Sequence, residues 1–351
     1  MHKLDKRKLI VMRYQSNASM FEGKKVLITG GTGSLGQALA SHLLKTKVDT
    51  IRILSRNESK QITMESEFKD DRLRFLIGDI RDLPRLYRAF EDIDIVFHAA
   101  ALKHVPLVEY NPFEAVKTNV LGSENVIEAC LHEDVEIAVG VGTDKAVSPL
   151  NAYGATKLLM EKLFVTTANY INKEKHKTKF IALRYGNVLG SSGSVVPRFI
   201  ELIRKKEKLT ITDPNMTRFS LTMEEALDFI IESTRDCKGS EIFIPKLRAY
   251  SLDDLKCALF ELLENTGEKK IPIRAGEKMH ETLINDDEMR YAWELGNKYV
   301  IFNPGTDEEE IKKSHPEIKK IKGLSKYSSD MVEKIPVFEL KKTITKSGIL
   351  N

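Results

Sequence analysis

The stretch KKVLITGGTGSLG, Lys24–Gly36, decides the fold of this chain. It opens with a short β-prone apolar run and passes through closely spaced glycines into a segment with helical periodicity. Gly30, Gly33 and Gly36 have the spacing G-x-x-G-x-x-G. Glycine permits a tight turn with positive φ, and it lets backbone N–H groups approach a pyrophosphate at the helix N-terminus. A strand, a glycine turn and a helix in this order therefore predict a dinucleotide-binding site.

Strand-like and helix-like segments alternate over the first half of the chain. After the first strand, the predicted strands are TIRILS (50–55), RLRFLIG (72–78), DIVFHAA (94–100), EIAVGVG (136–142) and KFIALRYG (179–186). Long helices are predicted for residues 111–131 and 150–170, and Asn111 and Pro112 stand where a helix cap and a first-turn proline belong. This alternation predicts an α/β fold with a doubly wound parallel sheet.

The alternation breaks after Gly186, which indicates a second, smaller unit. A helix from Ser220 onward and the strand EIFIP are expected to rejoin the sheet. The predicted organisation is an N-terminal arm (1–20), a dinucleotide-binding domain (21–189 with 217–246), a smaller C-terminal substrate-binding lobe (190–216 with 247–335) and a C-terminal tail (336–351).

Composition argues against several classes of function. The 351 residues include 55 basic and 51 acidic side chains, so the formal charge of +4 indicates neither a nucleic-acid nor a membrane partner. Cys130, Cys237 and Cys257 are widely spaced, as expected for reduced thiols rather than a disulfide or metal site. No apolar run approaches the roughly 18 residues of a membrane span, and the N-terminus lacks the apolar core of a signal peptide. We therefore expect a cytoplasmic protein without a metal.

The end of the second predicted strand bears on the choice of dinucleotide. NAD-specific sites usually carry an acid there, which binds the ribose hydroxyls. This strand ends instead in Ser55 and Arg56, with Lys60 close behind. Basic groups can hold a 2′-phosphate, which a carboxylate would repel, so the sequence favours NADP over NAD. Asp79, after the third strand, is either a contact for the adenine amine or a cap of the next helix, a role that Asp82 can also fill.

The segment GTDKAVSPLNAYGATK, Gly142–Lys157, combines an acid, two amines and a phenol. Tyr153 and Lys157 are four residues apart on a predicted helix, so they share one face. A free tyrosine has a pKa of about 10. A neighbouring ammonium and an oxidised nicotinamide both lower the pKa of the phenol. The pair therefore suits removal of a hydroxyl proton while hydride leaves the same carbon.

The glycine turn followed by Tyr153-x-x-x-Lys157 resembles the extended short-chain dehydrogenases/reductases, which have a Rossmann fold. The stretches AALKHVPLVEYNP, TNVLGSENVI, TDKAVSPLNAYGATK, RYGNVLGSSGSVVP, ITDPNMTRF and GEKMHETL together resemble the inverting UDP-N-acetylglucosamine 4,6-dehydratases of surface-sugar pathways. Retaining dehydratases of the dTDP-glucose type carry Asp-Glu where this chain has Asp144-Lys145. Large membrane-bound dehydratases carry methionine in place of Tyr153 and have transmembrane helices in front. The resemblance is therefore to the soluble, inverting group.

The resemblance implies a sequence of chemical steps. Tyr153 takes the C-4 hydroxyl proton as hydride moves to NADP+, and Thr143 hydrogen-bonds the same oxygen. Lys145 removes the C-5 proton, Asp144 protonates the departing C-6 hydroxyl, and hydride returns to C-6. Lys145 then reprotonates C-5, and the tightly bound NADP is recycled, so the enzyme is formally a lyase. Lys145 must be neutral to act as a base; burial lowers its pKa and Asp144 raises it, and the sequence does not fix the balance.

The resemblance also implies which residues bind the ligands. Those expected to hold NADP are Gly30, Thr32, Gly33, Ser34, Leu35, Gly36, Ser55, Arg56, Lys60, Asp79, Ile80, Ala99, Ala100, Ala101, Tyr153 and Lys157. Those expected to hold UDP-N-acetylglucosamine are Lys103, Asn187, Val195, Arg218, Arg274 and Glu277. A homo-oligomer is implied, either a dimer through the two long helices or a hexamer. The chain departs from the family pattern at Ala275, usually proline, and at Gly142-Thr143, usually Ser-Thr.

Two other functions are compatible with the same fold. A 4-epimerase acting on UDP-glucose or UDP-N-acetylglucosamine would share Tyr153 and Lys157 but would not need Asp144-Lys145. A non-enzymatic NADP sensor would tend to lose the Tyr-x-x-x-Lys pair, which this chain keeps. The adjacent Asp144 and Lys145 therefore favour the dehydratase.

Overall fold

The computed structural model describes residues 19–172, 174–191, 193–273 and 276–350, so nearly all of the predicted N-terminal arm lies outside the described residues. In chain order, the strands are β1 (Lys25–Thr29), β2 (Thr50–Ser55), β3 (Leu73–Ile77), β4 (Ile95–His98), β5 (Ile137–Val141), β6 (Lys179–Leu183), β7 (Leu209–Ile211), β8 (Thr217–Phe219), β9 (Ile242–Pro245), β10 (Ala249–Ser251), β11 (Glu268–Lys270), β12 (Thr282–Ile284), β13 (Ala292–Leu295), β14 (Lys298–Ile301), β15 (Lys319–Lys320) and β16 (Tyr327–Ser328). The α-helices are α1 (Ser34–Leu43), α2 (Glu58–Phe68), α3 (Leu83–Phe90), α4 (Val105–Tyr110), α5 (Pro112–Ala115), α6 (Gly122–His132), α7 (Ala152–Thr166), α8 (Val195–Arg204), α9 (Met223–Asp236), α10 (Leu252–Leu262), α11 (Glu308–Ser314) and α12 (Val337–Lys346).

A ten-stranded sheet forms the centre of the molecule, in the order β15-β13-β14-β9-β6-β5-β4-β1-β2-β3. The strands from β3 to β9 along this order are parallel, and β14, β13 and β15 continue the sheet antiparallel. The strand order reverses between β1 and β4, and ligands of such sheets bind in the crevice at the carboxyl ends of these strands. The predicted doubly wound parallel sheet is confirmed.

The core lies on both faces of this sheet. Val26 and Ile28 of β1 pack into one apolar cluster, whereas Leu27 between them packs into another. Successive residues of a strand point to opposite faces, so a strand that is covered by helices on both sides is apolar throughout. This is why KVLIT reads as a continuous apolar run rather than an alternating one.

The two long helices of the sequence prediction differ in detail. The predicted helix over 111–131 is α5, a π-helical segment (Val116–Leu121) and α6 in succession. The predicted helix over 150–170 is α7, which begins at Ala152 because the Asn151 side chain caps it, followed by a short 3₁₀ turn (Thr167–Asn169). π-helical turns are rare and often lie at functional sites.

The predicted division into two units stays a prediction, but two of its segments lie elsewhere in the structure. Strands β13, β14 and β15, from the predicted lobe, extend the main sheet through the pairing of β14 with β9. The predicted tail contains α12, whose Leu340 and Ile344 pack with Leu255 and Leu259 of α10. Both differences arise because these segments bury apolar side chains against elements that are distant in sequence.

Candidate functional site

The glycine turn after β1 has the backbone geometry that a pyrophosphate requires. Gly30 has φ of +67°, and a Cβ there would lie 2.8 Å from Ala100 Cα. A Cβ on Gly36 would lie 2.5 Å from Gly31 Cα, so only glycine allows α1 to start this close to the turn. Gly33 is the N-cap of α1 and adds no side chain in front of the helix N-terminus. The turn, which also includes the predicted cofactor residues Thr32, Ser34 and Leu35, therefore fits a dinucleotide phosphate.

The loop after β4 lies against this turn, as the prediction for Ala99, Ala100 and Ala101 requires. The Ala99 N–H donates to Thr29 O at 3.2 Å. The Asn119 side chain accepts from the backbone N–H of Leu102 at 2.8 Å and donates to its carbonyl at 2.9 Å. Asn119 lies in the π-helical segment, so this segment holds the loop in place. The sequence analysis did not single out Asn119, although it is part of the quoted TNVLGSENVI stretch.

Basic side chains lie at the end of β2. Ser55 is buried and its hydroxyl accepts from Gln61 Nε2 at 2.9 Å. The Arg56 side chain is more than half exposed, and its Nη1 lies 3.8 Å from Asp79 Oδ2. Lys60 is exposed in the first turn of α2. Ser55, Arg56 and Lys60 thus lie together where the sequence predicts a 2′-phosphate.

Asp82, rather than Asp79, caps α3, and a contact of Asp79 with adenine stays a prediction. Asp82 caps this helix and accepts from the Arg85 N–H at 3.1 Å. Asp79 instead accepts from Arg81 Nη2 at 2.7 Å. Burial raises the pKa of the Asp79 carboxyl, but the hydrogen bonds from Arg81 lower it by more, so the net shift is downward. Ile80, between these residues, is buried in the apolar cluster below α3.

A 3₁₀ turn after β5 positions the predicted acid and base. Thr143 is the N-cap of this turn, and its hydroxyl donates to Asp144 Oδ1 at 3.0 Å. The Asp144 side chain is only 1% exposed, and Lys145 Nζ lies 3.1 Å from Oδ1. On the neighbouring helix α7, Tyr153 and Lys157 are both buried. Thr143, Asp144 and Lys145 thus follow β5 directly, and Tyr153 and Lys157 lie on the helix that packs against this turn.

Three oxygen atoms surround the amine of Lys145. Asp144 Oδ1 lies at 3.1 Å, Asn187 Oδ1 at 3.3 Å and Glu281 Oε1 at 3.6 Å. Glu281 Oε1 also lies 3.7 Å from Arg218 Nε, and Arg218 Nη2 lies 3.7 Å from Glu277 Oε1. The predicted substrate residues Asn187, Arg218 and Glu277 are thus connected to the predicted base.

Burial and neighbouring charge act in opposite directions on the amines of this site. Burial lowers the pKa of Lys145, but the carboxylates of Asp144 and Glu281 raise it by more, so the net shift is upward. Burial lowers the pKa of Lys157 to about 7 against the opposing effect of Glu161. Burial raises the pKa of Asp144. The pKa of Lys145 is therefore shifted so as to favour the charged amine, whereas the pKa of Lys157 is shifted so as to favour the neutral amine.

The pKa of the Tyr153 phenol depends on burial and on the positive charge near it. Burial raises the pKa of its phenol, whereas Lys145 and the Thr143 hydroxyl lower it by less. Opposite charge near a phenol stabilises the phenolate, so a bound oxidised nicotinamide would lower this pKa further.

The remaining predicted substrate residues, Lys103, Val195 and Arg274, belong to three different parts of the chain. Burial, followed by the charge of Lys145, lowers the pKa of Lys103, which lies in the loop after β4. Val195 begins α8. Arg274 lies outside the described residues. Glu281 was not predicted, and neither was Lys278, whose Nζ donates to the Val147 carbonyl; the only sequence signal for both was the GEKMHETL motif.

Within the described ranges, no group of three or more His, Cys, Asp or Glu side chains is placed to hold a metal ion. None of the helices in these ranges is long and apolar enough to cross a bilayer.

A reversal of strand order between β1 and β4, a glycine turn beside it and a buried Tyr153–Lys157 pair define the extended short-chain dehydrogenase/reductase class. Residues 26–303 match the family described as polysaccharide biosynthesis protein, and the chain belongs to this family.

Several relatives and solved structures are similar to this chain. The UDP-N-acetylglucosamine 4,6-dehydratase (inverting) of Campylobacter jejuni is 47% identical over 284 residues, which are 80% of this chain and 84% of that protein. A UDP-glucose 4-epimerase of Rickettsia felis is 39% identical over 330 residues, 93% and 96% of the two chains. The X-ray structure of Pen from Bacillus thuringiensis has a TM-score of 0.86 at 40% identity, covering 94% of this chain and 99% of that one.

Proposed function

We propose that this chain is an inverting UDP-N-acetylglucosamine 4,6-dehydratase that uses NADP. The observation that carries the proposal is the contact of 3.1 Å between the buried Asp144 carboxylate and the Lys145 amine, on the turn beside Tyr153. Oxidation and reduction at C-4 alone need only Tyr153 and Lys157. An acid and a base next to each other are needed when water is eliminated. The dehydratase named for Campylobacter jejuni, at 47% identity, supports this reading.

The proposed mechanism assigns one proton transfer to each polar side chain. A nicotinamide dinucleotide held by the glycine turn would supply the hydride chemistry, which is removal of hydride from C-4 and its return to C-6. Tyr153 takes the C-4 hydroxyl proton, with Thr143 hydrogen-bonded to the same oxygen. The C-4 ketone makes the C-5 proton acidic, so Lys145 can remove it while Asp144 protonates the C-6 hydroxyl, which leaves as water. Lys145 then returns a proton to C-5, and C-5 is inverted because the sugar presents its other face to this amine in the second transfer.

The acid and the base require one proton to shift between them. The contact between Nζ and Oδ1 suits an ammonium on Lys145 and a carboxylate on Asp144, whereas the proposed reaction starts from a neutral amine and a carboxylic acid. The two states differ by one proton moved across the 3.1 Å between Nζ and Oδ1. Burial favours the uncharged pair, because both ions lose their water, and it already raises the pKa of Asp144. A substrate that closes the site would strengthen this effect.

The nucleotide-sugar is proposed to lie along the residues that lead away from Lys145. Arg218 is buried and presents a planar fork that suits a phosphate. Glu277 lies beside Arg218, and Asn187 lies beside Lys145. Lys103 lies in the loop after β4, Val195 begins α8, and Arg274 is the last of the proposed residues. At the other end, Arg56, Ser55 and Lys60 are proposed to bind the 2′-phosphate of NADP, with Asp79 near the adenine.

A homo-oligomer in the cytoplasm is also proposed, either a dimer or a hexamer. Leu107 and Tyr110 of α4, Phe113 of α5 and Leu159 of α7 are large apolar side chains that are more than half exposed. Phe113 and Leu159 lie on the two long helices through which the sequence resemblance implies a dimer, and α4 directly precedes the first of them. Burying this surface against a second copy would remove it from water.

The alternative function is a UDP-sugar 4-epimerase. It is favoured by the name of the Rickettsia felis relative, which covers 93% of this chain. An epimerase oxidises and reduces C-4 and removes no water. It therefore leaves the adjacent Asp144 and Lys145 without a chemical task.

The test is to incubate the purified protein with UDP-N-acetylglucosamine and NADP+ and to follow the sugar by proton NMR. The proposal predicts a 4-keto-6-deoxy sugar, recognised by a new methyl signal at C-6 and by the changed configuration at C-5. A product that keeps its C-6 hydroxyl and differs only at C-4 would establish the epimerase instead. Unchanged UDP-N-acetylglucosamine would contradict the dehydratase, and the same assay with UDP-glucose would then test the 4-epimerase.

A further inference from the structure

Glu281 is a buried acid that none of the proposed chemical steps uses. It stands just before β12, and only 3% of the residue is exposed. Its backbone is fixed on both sides: the N–H donates to Ser329 Oγ at 2.9 Å, and the carbonyl accepts from the Ser329 N–H at 2.8 Å. The backbone of Glu281 is therefore fixed, and its burial keeps the carboxylate away from water.

The Glu281 carboxylate lies between two cations of the candidate site. Its Oε1 is 3.6 Å from Lys145 Nζ and 3.7 Å from Arg218 Nε. Its Oε2 is buried and, among the described residues, has no hydrogen-bond partner. A buried carboxylate that is only partly satisfied is costly, so a structural role alone would favour a neutral side chain at this position.

The environment of Lys145 matches the charged form of its amine. An ammonium has three N–H donors, and three oxygens lie within 3.6 Å of Nζ, from Asp144, Asn187 and Glu281. Other ionisable groups also face this amine or interact with it from the packed elements: Arg218 on β8, Tyr153 on α7, Tyr250 on β10, Lys103 in the loop after β4 and Lys278 before β12. Among the described residues, two carboxylates lie within 3.6 Å of this amine, those of Asp144 and Glu281, and only Glu281 comes from a distant part of the chain.

We propose that Glu281 is a positioning residue of this site, which holds Lys145 and Arg218 through one carboxylate and thereby sets the charge and the basicity of the Lys145 amine. The inference rests on the proposed dehydratase only where it concerns turnover. A proton on a carbon next to a ketone is weakly acidic, so its removal benefits from a stronger base. A negative charge beside Lys145 stabilises the ammonium that forms when the amine takes the C-5 proton.

The direct test measures the charge of Lys145 without turnover. The Lys145 side chain is 23% exposed, so trace acetic anhydride can reach the amine, and only the neutral amine reacts. Peptide mass spectrometry compares acetylation of Lys145 with that of the exposed Lys69 in the same digest. Removing a charge at this distance lowers the pKa by about one unit or more, so Glu281→Gln should acetylate at Lys145 at least about tenfold faster below the ordinary lysine pKa.

Glu281→Asp is the matched control, because it keeps the charge and changes the shape, whereas Glu281→Gln keeps the shape. The inference predicts a rate close to wild type for the aspartate variant. Ser329→Ala, which loosens the Glu281 backbone, should give an intermediate rate and serves if Glu281→Gln fails to fold by circular dichroism. The inference would be overturned if Lys145 were acetylated in Glu281→Gln at the wild-type rate, or if Glu281→Asp accelerated this acetylation as much as Glu281→Gln does. If Glu281→Gln does not fold, a wild-type acetylation rate in Ser329→Ala would overturn it instead.

Turnover gives a second readout if the dehydratase proposal holds. In Glu281→Gln, the rising limb of kcat against pH should move to lower pH, while the plateau of kcat falls because the base is weaker. A purely structural defect would lower kcat without moving the limb, and that result would contradict the inference. If wild type does not convert UDP-N-acetylglucosamine, the proposed function is contradicted. The acetylation experiment would still test the role of Glu281, because it does not depend on turnover.

Discussion

Tyr153 and Lys157 lie one helical turn apart on α7, and both are buried beside the 3₁₀ turn that carries Asp144 and Lys145. At the scale of single residues, their spacing could be predicted from the sequence, because positions four apart share a helix face. The charge of Lys145 could not be predicted, since it depends on Glu281, which lies far along the chain. A sequence motif can predict which neighbouring residues share a helix face. The electrostatic potential at an amine also depends on residues that only folding brings near.

Replacing Tyr153 with phenylalanine should reduce kcat severely and leave substrate affinity nearly unchanged, because the phenol acts only as the C-4 proton is removed. The fold should survive, since the ring stays in its cavity. Steady-state kinetics and calorimetric binding measure the two effects. Tyr170→Phe, which removes the hydroxyl of an exposed tyrosine, is the control and should behave as wild type. Near-normal turnover of Tyr153→Phe would mean that another group takes this proton.

The preference for NADP should depend on Arg56, whose guanidinium is exposed at the end of β2. Arg56→Ala should narrow the difference in binding free energy between NADP and NAD by about 1.5–3 kcal/mol, the range for hydrogen bonds to charged groups. Titration of both cofactors by fluorescence gives the difference. Arg88→Ala, which removes another exposed arginine, should leave it unchanged. Equal affinity of the wild-type protein for NADP and NAD would contradict the assignment.

At the scale of elements, a strand or a helix end could be predicted from the sequence where residues close together in the chain determine it. The TIRILS run is β2 itself, and Asn151 caps α7. The π-helical segment Val116–Leu121 carries no such local signal, because it depends on how Asn119 binds the loop at Leu102. The pairing of β14 with β9 likewise could not be predicted from local sequence, because the two strands are far apart in the chain.

The close packing of α1 against the glycine turn can be tested with a single methyl group. A Cβ at Gly36 would lie 2.5 Å from both the Cα and the carbonyl oxygen of Gly31, so the backbone must move. Gly36→Ala should lower the free energy of unfolding by about 1–3 kcal/mol, as overpacking does, and should weaken cofactor binding. Thermal melts with and without NADP measure both. Ser41→Ala, on the exposed face of α1, should change stability by less than about 0.5 kcal/mol. Unchanged melting of Gly36→Ala would show that the helix can shift freely.

At the scale of the whole molecule, the described structure leaves large apolar side chains exposed on α4, α5 and α7. Phe113 is 80% exposed there, and Phe338 of α12 is 73% exposed on another helix. Scattered exposed apolar residues are common, whereas a group of them on adjacent helices is typical of an interface. The sequence could suggest this assembly only by resemblance, because exposure is a property of the fold.

Phe113→Asp should therefore convert an oligomer into a smaller species, since a charge would be buried without a partner in the interface. Light scattering coupled to size exclusion measures the mass directly. Phe338→Asp is a control matched in residue type and exposure, and it should keep the wild-type mass. An oligomer that persists in Phe113→Asp would place the interface elsewhere.

The central claim is that Lys145 removes the C-5 proton in a dehydration. The most direct measurement runs the reaction with UDP-N-acetylglucosamine in deuterated water and locates deuterium by NMR. Wild type should place solvent deuterium at C-5 of the product. Removal of a general base typically costs about 100- to 10,000-fold, so Lys145→Ala should show no deuterium at C-5 of recovered substrate, although enzyme-bound NADPH can still form on mixing. Asp144→Asn should still exchange C-5 while failing to expel the C-6 oxygen. Exchange at C-5 by Lys145→Ala as fast as by wild type would contradict the account.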